Sequence, residues 1–309
     1  MKVLQYGHKG WIGNLIKEEL NKRNIESVNG NIRCYYVKDL DNEIRKVKPS
    51  HIICSIGRTH SKDIPTIDYL EDISKIDINV RDNLFSPIVL AMLCKKYDIH
   101  LTYIGTGCIF EYSDGFNVPG GFREENIPNF KGSAYSIVKG YTDQLMHLFE
   151  DIVLNLRIRM PISSDLTQNR NFIKKIITYN KICSINNSMT VLDNLIPILV
   201  DMCKDNETGT YNFTNPGVIN HNEILEMYKE LIDNNFTWEN MTIDEQNNML
   251  KSKRSNNKLD TTKLKKYNTN ILNIKDSIRN IFIKNKNLDK DKERHTVSGM
   301  EWSEEWSVT

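Results

Sequence analysis

Lys2-Val3-Leu4-Gln5-Tyr6-Gly7-His8-Lys9-Gly10-Trp11-Ile12-Gly13 stands near the start of the chain, and its reading decides the fold. Val3 to Tyr6 form a short apolar run that Gly7 breaks. Trp11, Ile12, Leu15, Ile16 and Leu20 then recur at helical spacing until Arg23 and Asn24. This is a strand, a glycine turn and a helix. Glycines spaced G-x-x-G-x-x-G at such a turn let the backbone approach a pyrophosphate, while the helix start offers unpaired N–H groups and a positive dipole end. Gly7, Gly10, Trp11, Ile12 and Gly13 are therefore expected to bind a dinucleotide.

The same unit recurs downstream. Residues 40–47 read as a helix leading through Pro49 into a strand at 51–56, and a longer helical pattern at 78–97 leads into a strand at 99–104. A glycine-rich loop at 105–132 precedes a helix from about Ala134 to Phe149 and a strand at 152–158. Strands alternating with helices of this length predict a doubly wound, Rossmann-like parallel α/β sheet covered on both faces. Beyond it, short strands at 181–185 and 210–213 sit among helices near 193–203, 221–232 and 243–250. The division expected is a cofactor domain over 1–160, completed by parts of 161–220, and a smaller substrate lobe over 161–285. Residues 286–309, charged and aperiodic, are expected to be a disordered tail.

Composition excludes several functions. Among 309 residues, 41 Lys and Arg stand against 40 Asp and Glu, a balance unlike that of a dedicated nucleic-acid binder. No stretch reaches the roughly 18 apolar residues of a membrane span, and no signal-peptide core is visible, so a cytoplasmic protein is expected. The six cysteines have neither C-x-x-C spacing nor a nearby His at ligand spacing, so neither a disulfide framework nor a metal site is expected. Five read as packed thiols, Cys108 being the exception considered below.

An acidic residue about 20 positions past the glycines would take the ribose 2′-hydroxyl of NAD. Residues 27–33 hold no acid but do hold Arg33, which suits a 2′-phosphate. NADPH is therefore the expected cofactor, with NADH as the alternative. Tyr135-Ser136-Ile137-Val138-Lys139 is a Y-x-x-x-K one turn into a helix, its two ends on one face. With Thr106 closing the strand before it, and with the glycine spacing, it resembles the set of extended short-chain dehydrogenase/reductases. That likeness implies that Tyr135 exchanges the proton accompanying hydride transfer, that Lys139 lowers its pKa and holds the nicotinamide ribose, and that Thr106 bonds the same oxygen. Asn79 either completes a proton relay or supports its helix.

Further segments narrow the resemblance. Gly107-Cys108-Ile109-Phe110-Glu111-Tyr112, Gly121-Phe122-x-Glu124-Glu125, Arg159-Met160-Pro161-Ile162-Ser163-Ser164-Asp165-Leu166 and Asn171-Phe172-Ile173 are among them. So are Asn187-Ser188-Met189-Thr190-Val191-Leu192-Asp193 and Arg254-Ser255-Asn256-Asn257-x-Leu259-Asp260. Together they resemble the nucleotide-rhamnose synthases, UDP-4-keto-6-deoxy-glucose 3,5-epimerase/4-reductases best known from plants, over residues 1 to about 285. Bacterial dTDP-4-dehydrorhamnose reductases are similar only in pieces.

The resemblance implies a nucleotide-linked 4-keto-6-deoxy-hexose whose ketone acidifies the C3 and C5 hydrogens. It implies Cys108 as one acid–base group and Lys175, in N-F-I-x-K, as the other, Lys174 being the alternative. It further implies Pro161 at the cofactor, and Glu111, Asn171, Met189, Arg254 and Asn256, with Cys108, at the substrate. Arg254 and Asn256 lie where the family holds the diphosphate. A separate upstream 4,6-dehydratase and a homodimer through the helix of Tyr135 are also implied. The other readings are a 4-ketoreductase without epimerase activity and a non-catalytic NADP-binding regulatory subunit.

Overall fold

The computed structural model describes the backbone of residues 1–112 and 120–301, and side chains as far as residue 288. In chain order the strands are β1 (Lys2–Tyr6), β2 (Glu26–Asn29), β3 (His51–Cys54), β4 (His100–Thr106), β5 (Val153–Ile158), β6 (Lys181–Ile182), β7 (Gly209–Asn212) and β8 (Glu239–Asn240). The helices are α1 (Trp11–Lys22), α2 (Val37–Val47), α3 (Ile76–Val80), α4 (Ser86–Tyr97), α5 (Ala134–Met146), α6 (Phe172–Ile176), α7 (Leu192–Lys204), α8 (His221–Leu231), α9 (Ile243–Met249), α10 (Thr262–Tyr267) and α11 (Ile274–Glu301).

Six strands form one parallel sheet in the order β2-β1-β3-β4-β5-β7, with Tyr6 opposite Cys54 and Cys54 opposite Tyr103. Since β2 and β3 flank β1 on opposite sides, the winding reverses between β1 and β3. Ligands of such sheets bind beyond the strand C-termini at that reversal. β3 and β4 are buried along their whole length because helices cover both faces. On one face, Val3, Ile53, Ile104 and Leu154 meet Ile16 and Leu20 of α1 and Leu195, Leu199 and Met202 of α7. On the other, Leu4, Ile52, Leu101 and Val153 meet Leu40 and Ile44 of α2 and Leu90 and Cys94 of α4. A second core, in which Ile162, Ile173, Met189, Ile224, Leu225, Ile278 and Phe282 meet, gathers α6, α8 and α11.

Two expectations change. The helix expected over 78–97 is split by one π turn, Arg81–Phe85. Pro87 lacks the N–H that would reach the Asn83 carbonyl one turn back, and that carbonyl instead accepts from Thr142 Oγ1 of α5 at 2.7 Å. The tail expected from residue 286 is helical as far as Glu301, and 302–309 lie outside the described residues. Residues 286–298 contain neither Pro nor Gly, so nothing local stops a helix that the second core has already nucleated. Five cysteines are buried and Cys108 is partly exposed. No helix among the described residues is long and apolar enough to cross a membrane.

Candidate active site

The site lies beyond the C-termini of β1, β3 and β4. Gly7 has φ +84°, a left-handed conformation, and a Cβ there would lie 2.6 Å from Ser55 Oγ. A Cβ on Gly13 would lie 2.1 Å from the Gly7 carbonyl oxygen, so only glycine lets α1 start so close to β1. Gly10 is the N-cap of α1 and gives it no side-chain cap, and the first turn holds no acid. An uncapped N-terminus above a glycine cradle fits a dinucleotide pyrophosphate. Trp11 and Ile12 pack partly buried on the sheet core. Gln5 was not singled out in the sequence, yet its buried amide donates to the Gly13 carbonyl at 2.6 Å and fixes the first turn.

Arg33 is exposed on the loop after β2. The loop is held by Glu43, whose carboxylate accepts from the Asn31 N–H at 2.9 Å and from the Tyr6 hydroxyl at 2.8 Å. At the other end of the cradle, Pro161 follows Met160, a non-glycine residue at φ +40°. The Pro161 carbonyl accepts from Phe172 N–H at 3.0 Å, tying the end of β5 to α6.

Thr106 closes β4, and its hydroxyl accepts from the Cys108 N–H at 3.1 Å. Ser133 caps α5 through the Ser136 N–H, which sets Tyr135 and Lys139 on the first two turns of that helix. Burial, and then the Cys108 sulfur, push the Tyr135 hydroxyl above its ordinary range, while a hydrogen bond with Thr106 acts in the other direction. Thr106, Cys108 and Tyr135 thus form one group. Lys139 is buried and donates to the Tyr103 hydroxyl of β4. Burial lowers the Lys139 amine to about 8, against smaller raising effects from Cys54 and Asp143. Asn79 is fully buried; its Oδ1 accepts from Asn83 at 2.8 Å, while its Nδ2 has no partner among the described residues.

Basic side chains cluster around Lys175. Burial, then Arg170 and Arg254, lower the Lys175 amine, whereas Lys174 stands beside it on α6. His60 is lowered to about 4 by burial and by Arg170, Arg58 and Lys175, and Arg170 donates to its ring. Arg170 and Arg58 carry no motif and escaped the sequence reading. Arg254 pairs with Asp68 at 2.6 Å. Burial would raise the Asp68 carboxyl, but hydrogen bonds from Arg254, Thr66 and Ser252 outweigh it and hold it below its usual range.

Packing buries two of the expected substrate contacts, Met189 and Asn171, while the third, Asn256, stays partly exposed. Met189 is fully buried in the second core and offers no surface to a sugar. The buried Asn171 amide is spent on its own loop, donating to Ser163 O at 2.8 Å and Asp165 O at 2.9 Å and capping α6 through Ile173 N–H. Asn256 accepts from Asn187 at 2.9 Å and donates to the Arg254 carbonyl, so it braces its strap. In that strap Asn257, unremarked in the sequence, donates to the carbonyls of Gly107 and Phe110 at 3.0 and 2.8 Å. Arg159 is also buried and donates to the Ser255 and Asn257 carbonyls, both at 2.8 Å. The strap therefore fixes the loop that carries Cys108. Glu111 is partly exposed on the same loop, its backbone pinned by Asn129.

No family model matches the chain. Protein L780 of Acanthamoeba polyphaga mimivirus is 48% identical over 288 residues, 93% of this chain and 99% of that protein. Its crystal structure, that of a UDP-rhamnose synthase, superposes with a TM-score of 0.89 over 92% of this chain and 99% of that one. A bifunctional dTDP-4-dehydrorhamnose 3,5-epimerase/dTDP-4-dehydrorhamnose reductase of Arabidopsis thaliana is 44% identical over 289 residues, 93% of this chain and 94% of that protein. A trifunctional Arabidopsis protein that adds UDP-glucose 4,6-dehydratase activity is 44% identical over 282 residues, 90% of this chain but 41% of its own length. The NADP complex of a Bacillus anthracis dTDP-4-dehydrorhamnose reductase shares the fold, with a TM-score of 0.75 at 16% identity over 92% of this chain and 99% of that one. With that identity spread over nine-tenths of its length, and with Thr106, Cys108, Tyr135 and Lys139 at the mouth of the sheet, the chain belongs to the nucleotide-rhamnose synthases, epimerase/reductase enzymes of the extended short-chain dehydrogenase/reductase fold.

Proposed function

We propose that this enzyme converts UDP-4-keto-6-deoxy-D-glucose to UDP-L-rhamnose, inverting C3 and C5 and then reducing C4 with NADPH. The observation that carries the reading is the grouping of Cys108 with Tyr135 and Thr106, to which the basic cluster around Lys175 adds a candidate base. The C4 ketone acidifies the neighbouring C–H bonds. Lys175, its amine lowered toward neutrality, takes a proton from one face, and the electron pair moves onto O4 as an enolate. The Tyr135 hydroxyl donates to O4 and Thr106 bonds it, as donors do in an oxyanion site. Cys108 delivers a proton to carbon from the opposite face; once Lys175 has released its proton to water and the Cys108 thiolate has taken one up, the same exchange at the second carbon completes the inversion. When bound, NADPH supplies the hydride to C4, and Tyr135 gives its proton to the oxygen.

Arg33, exposed beyond β2 in a loop without an acid, supports NADPH over NADH. A 4,6-dehydratase, an activity that the trifunctional Arabidopsis protein carries beside its epimerase and reductase, is the step proposed to supply the keto sugar. A homodimer through α5 completes the proposal.

The test is NADPH oxidation at 340 nm with UDP-4-keto-6-deoxy-D-glucose. Wild type should form the L-rhamno product, and Cys108→Ala should lose about 10²-fold or more of it, the usual contribution of a general acid. Reduction of the unepimerised sugar by Cys108→Ala at the wild-type rate would instead mark a plain 4-ketoreductase.

A further inference from the structure

We propose that Tyr103 is a positioning residue for Lys139: the buried phenol of β4 accepts one N–H of the ammonium and faces it with its ring, holding the amine in place without neutralising it. The proposal rests on the reading of Lys139 as the charged partner of the cofactor ribose and of Tyr135.

Lys139 is 4% exposed and Tyr103 1%, so water is not the amine's partner. Among the described residues the Tyr103 oxygen is the acceptor that Lys139 Nζ reaches, and Nζ lies 4.5 Å from the ring centroid, within cation–π range. The groups around the amine come from three elements. β3 contributes Cys54, opposite Tyr103 in the sheet, whose thiol burial pushes up to about 11 and keeps uncharged. α5 contributes Tyr135 and Asp143. The Asp143 carboxylate is committed to Arg157, accepting from its Nε at 2.9 Å and its Nη2 at 2.6 Å, and also accepts from Asn155 at 3.0 Å. β4 contributes Tyr103, whose own hydroxyl burial drives well above its ordinary range.

Every neighbour is thus neutral or already neutralised. An apolar residue at 103 would leave a buried ammonium without an acceptor and favour the uncharged amine. A carboxylate there would hold the amine but cancel its field. A phenol does neither. Because burial already brings Lys139 down to about 8, a lost acceptor tips its charge at working pH.

The test compares Tyr103→Phe, which keeps the ring and removes the acceptor, with Tyr103→Glu, which supplies a charged one. The Lys139 amine is titrated in the cofactor-free full-length chain by carbon NMR of lysine labelled at Cε, with Lys139→Met assigning the signal. The alkaline limb of NADPH-dependent reduction is recorded alongside. Tyr103→Phe should move both the titration and the limb down by about one pH unit and slow reduction about fivefold at pH 8. Tyr103→Glu should move the titration up. Opposite shifts do not arise from general loosening, and circular dichroism verifies the fold of each variant. If neither substitution moves the Lys139 titration, the proposal is overturned. If the wild type fails to oxidise NADPH, the functional reading falls while the titration still decides the role of Tyr103.

Discussion

Lys174 and Lys175 are adjacent in sequence and indistinguishable there, but α6 separates them by about 100°. Burial, and then Arg170 and Arg254, disfavour the protonated form of the Lys175 amine, which suits it to act as a base. Proton exchange should therefore rise with pH as Lys175 gives up its proton and level off below the ordinary range of an amine. Lys175→Met should lose about 10²-fold or more of the exchange, and Lys174→Met should stay within twofold. Equal losses in the two variants would sink the assignment. At this scale the candidate catalytic side chains are legible as motifs, since Tyr135 and Lys139 are separated by one helical turn. The sequence does not show the side chains that serve those groups across the fold. Tyr103 meets Lys139 from 36 positions away, and Asn257 meets Gly107 from 150. No periodicity carries such pairs. Asn171 and Met189 lie in the right segments but point into packing, a distinction that resemblance alone does not make.

At the scale of elements, the strand and helix alternation was legible because apolar period and glycine punctuation agree at α1, β3, β4 and α5. The π turn was not, although its cause stands in the sequence: Pro87 frees the Asn83 carbonyl, and what decides the outcome is a donor on another helix. Thr142→Val keeps the shape and removes that donor. It should destabilise the protein by about 1–3 kcal/mol, the penalty of a buried unsatisfied carbonyl, read as a lower urea midpoint at unchanged slope. An unchanged midpoint would show that the carbonyl finds another partner. The helix runs on through residues 286–301, where charge without apolar period gives no helical signal but no breaker precedes Gly299 either.

On the scale of the whole molecule, the sheet delivers the glycine cradle and Thr106, and the second core delivers Lys175. The site therefore needs both, and α11 ties the latter together by packing on α8. The outer face of α5 exposes Ile137, Tyr141 and Leu145, and the 3-10 turn after it exposes Leu148, Tyr141 by 60% and Leu148 by 74%, with Met92 of α4 also exposed. Such a stripe fits a second copy of the chain. Light scattering should give twice the 36.0 kDa chain mass, and Tyr141→Arg should return it to one; a monomeric wild type would contradict the dimer. The central claim is that one site both epimerises and reduces, and running the wild-type reaction in D2O with NADPH tests it most directly. The product expected is UDP-L-rhamnose carrying deuterium at C3 and C5 and protium at C4. A reduced sugar with protium at C3 and C5 and its starting configuration there would contradict it.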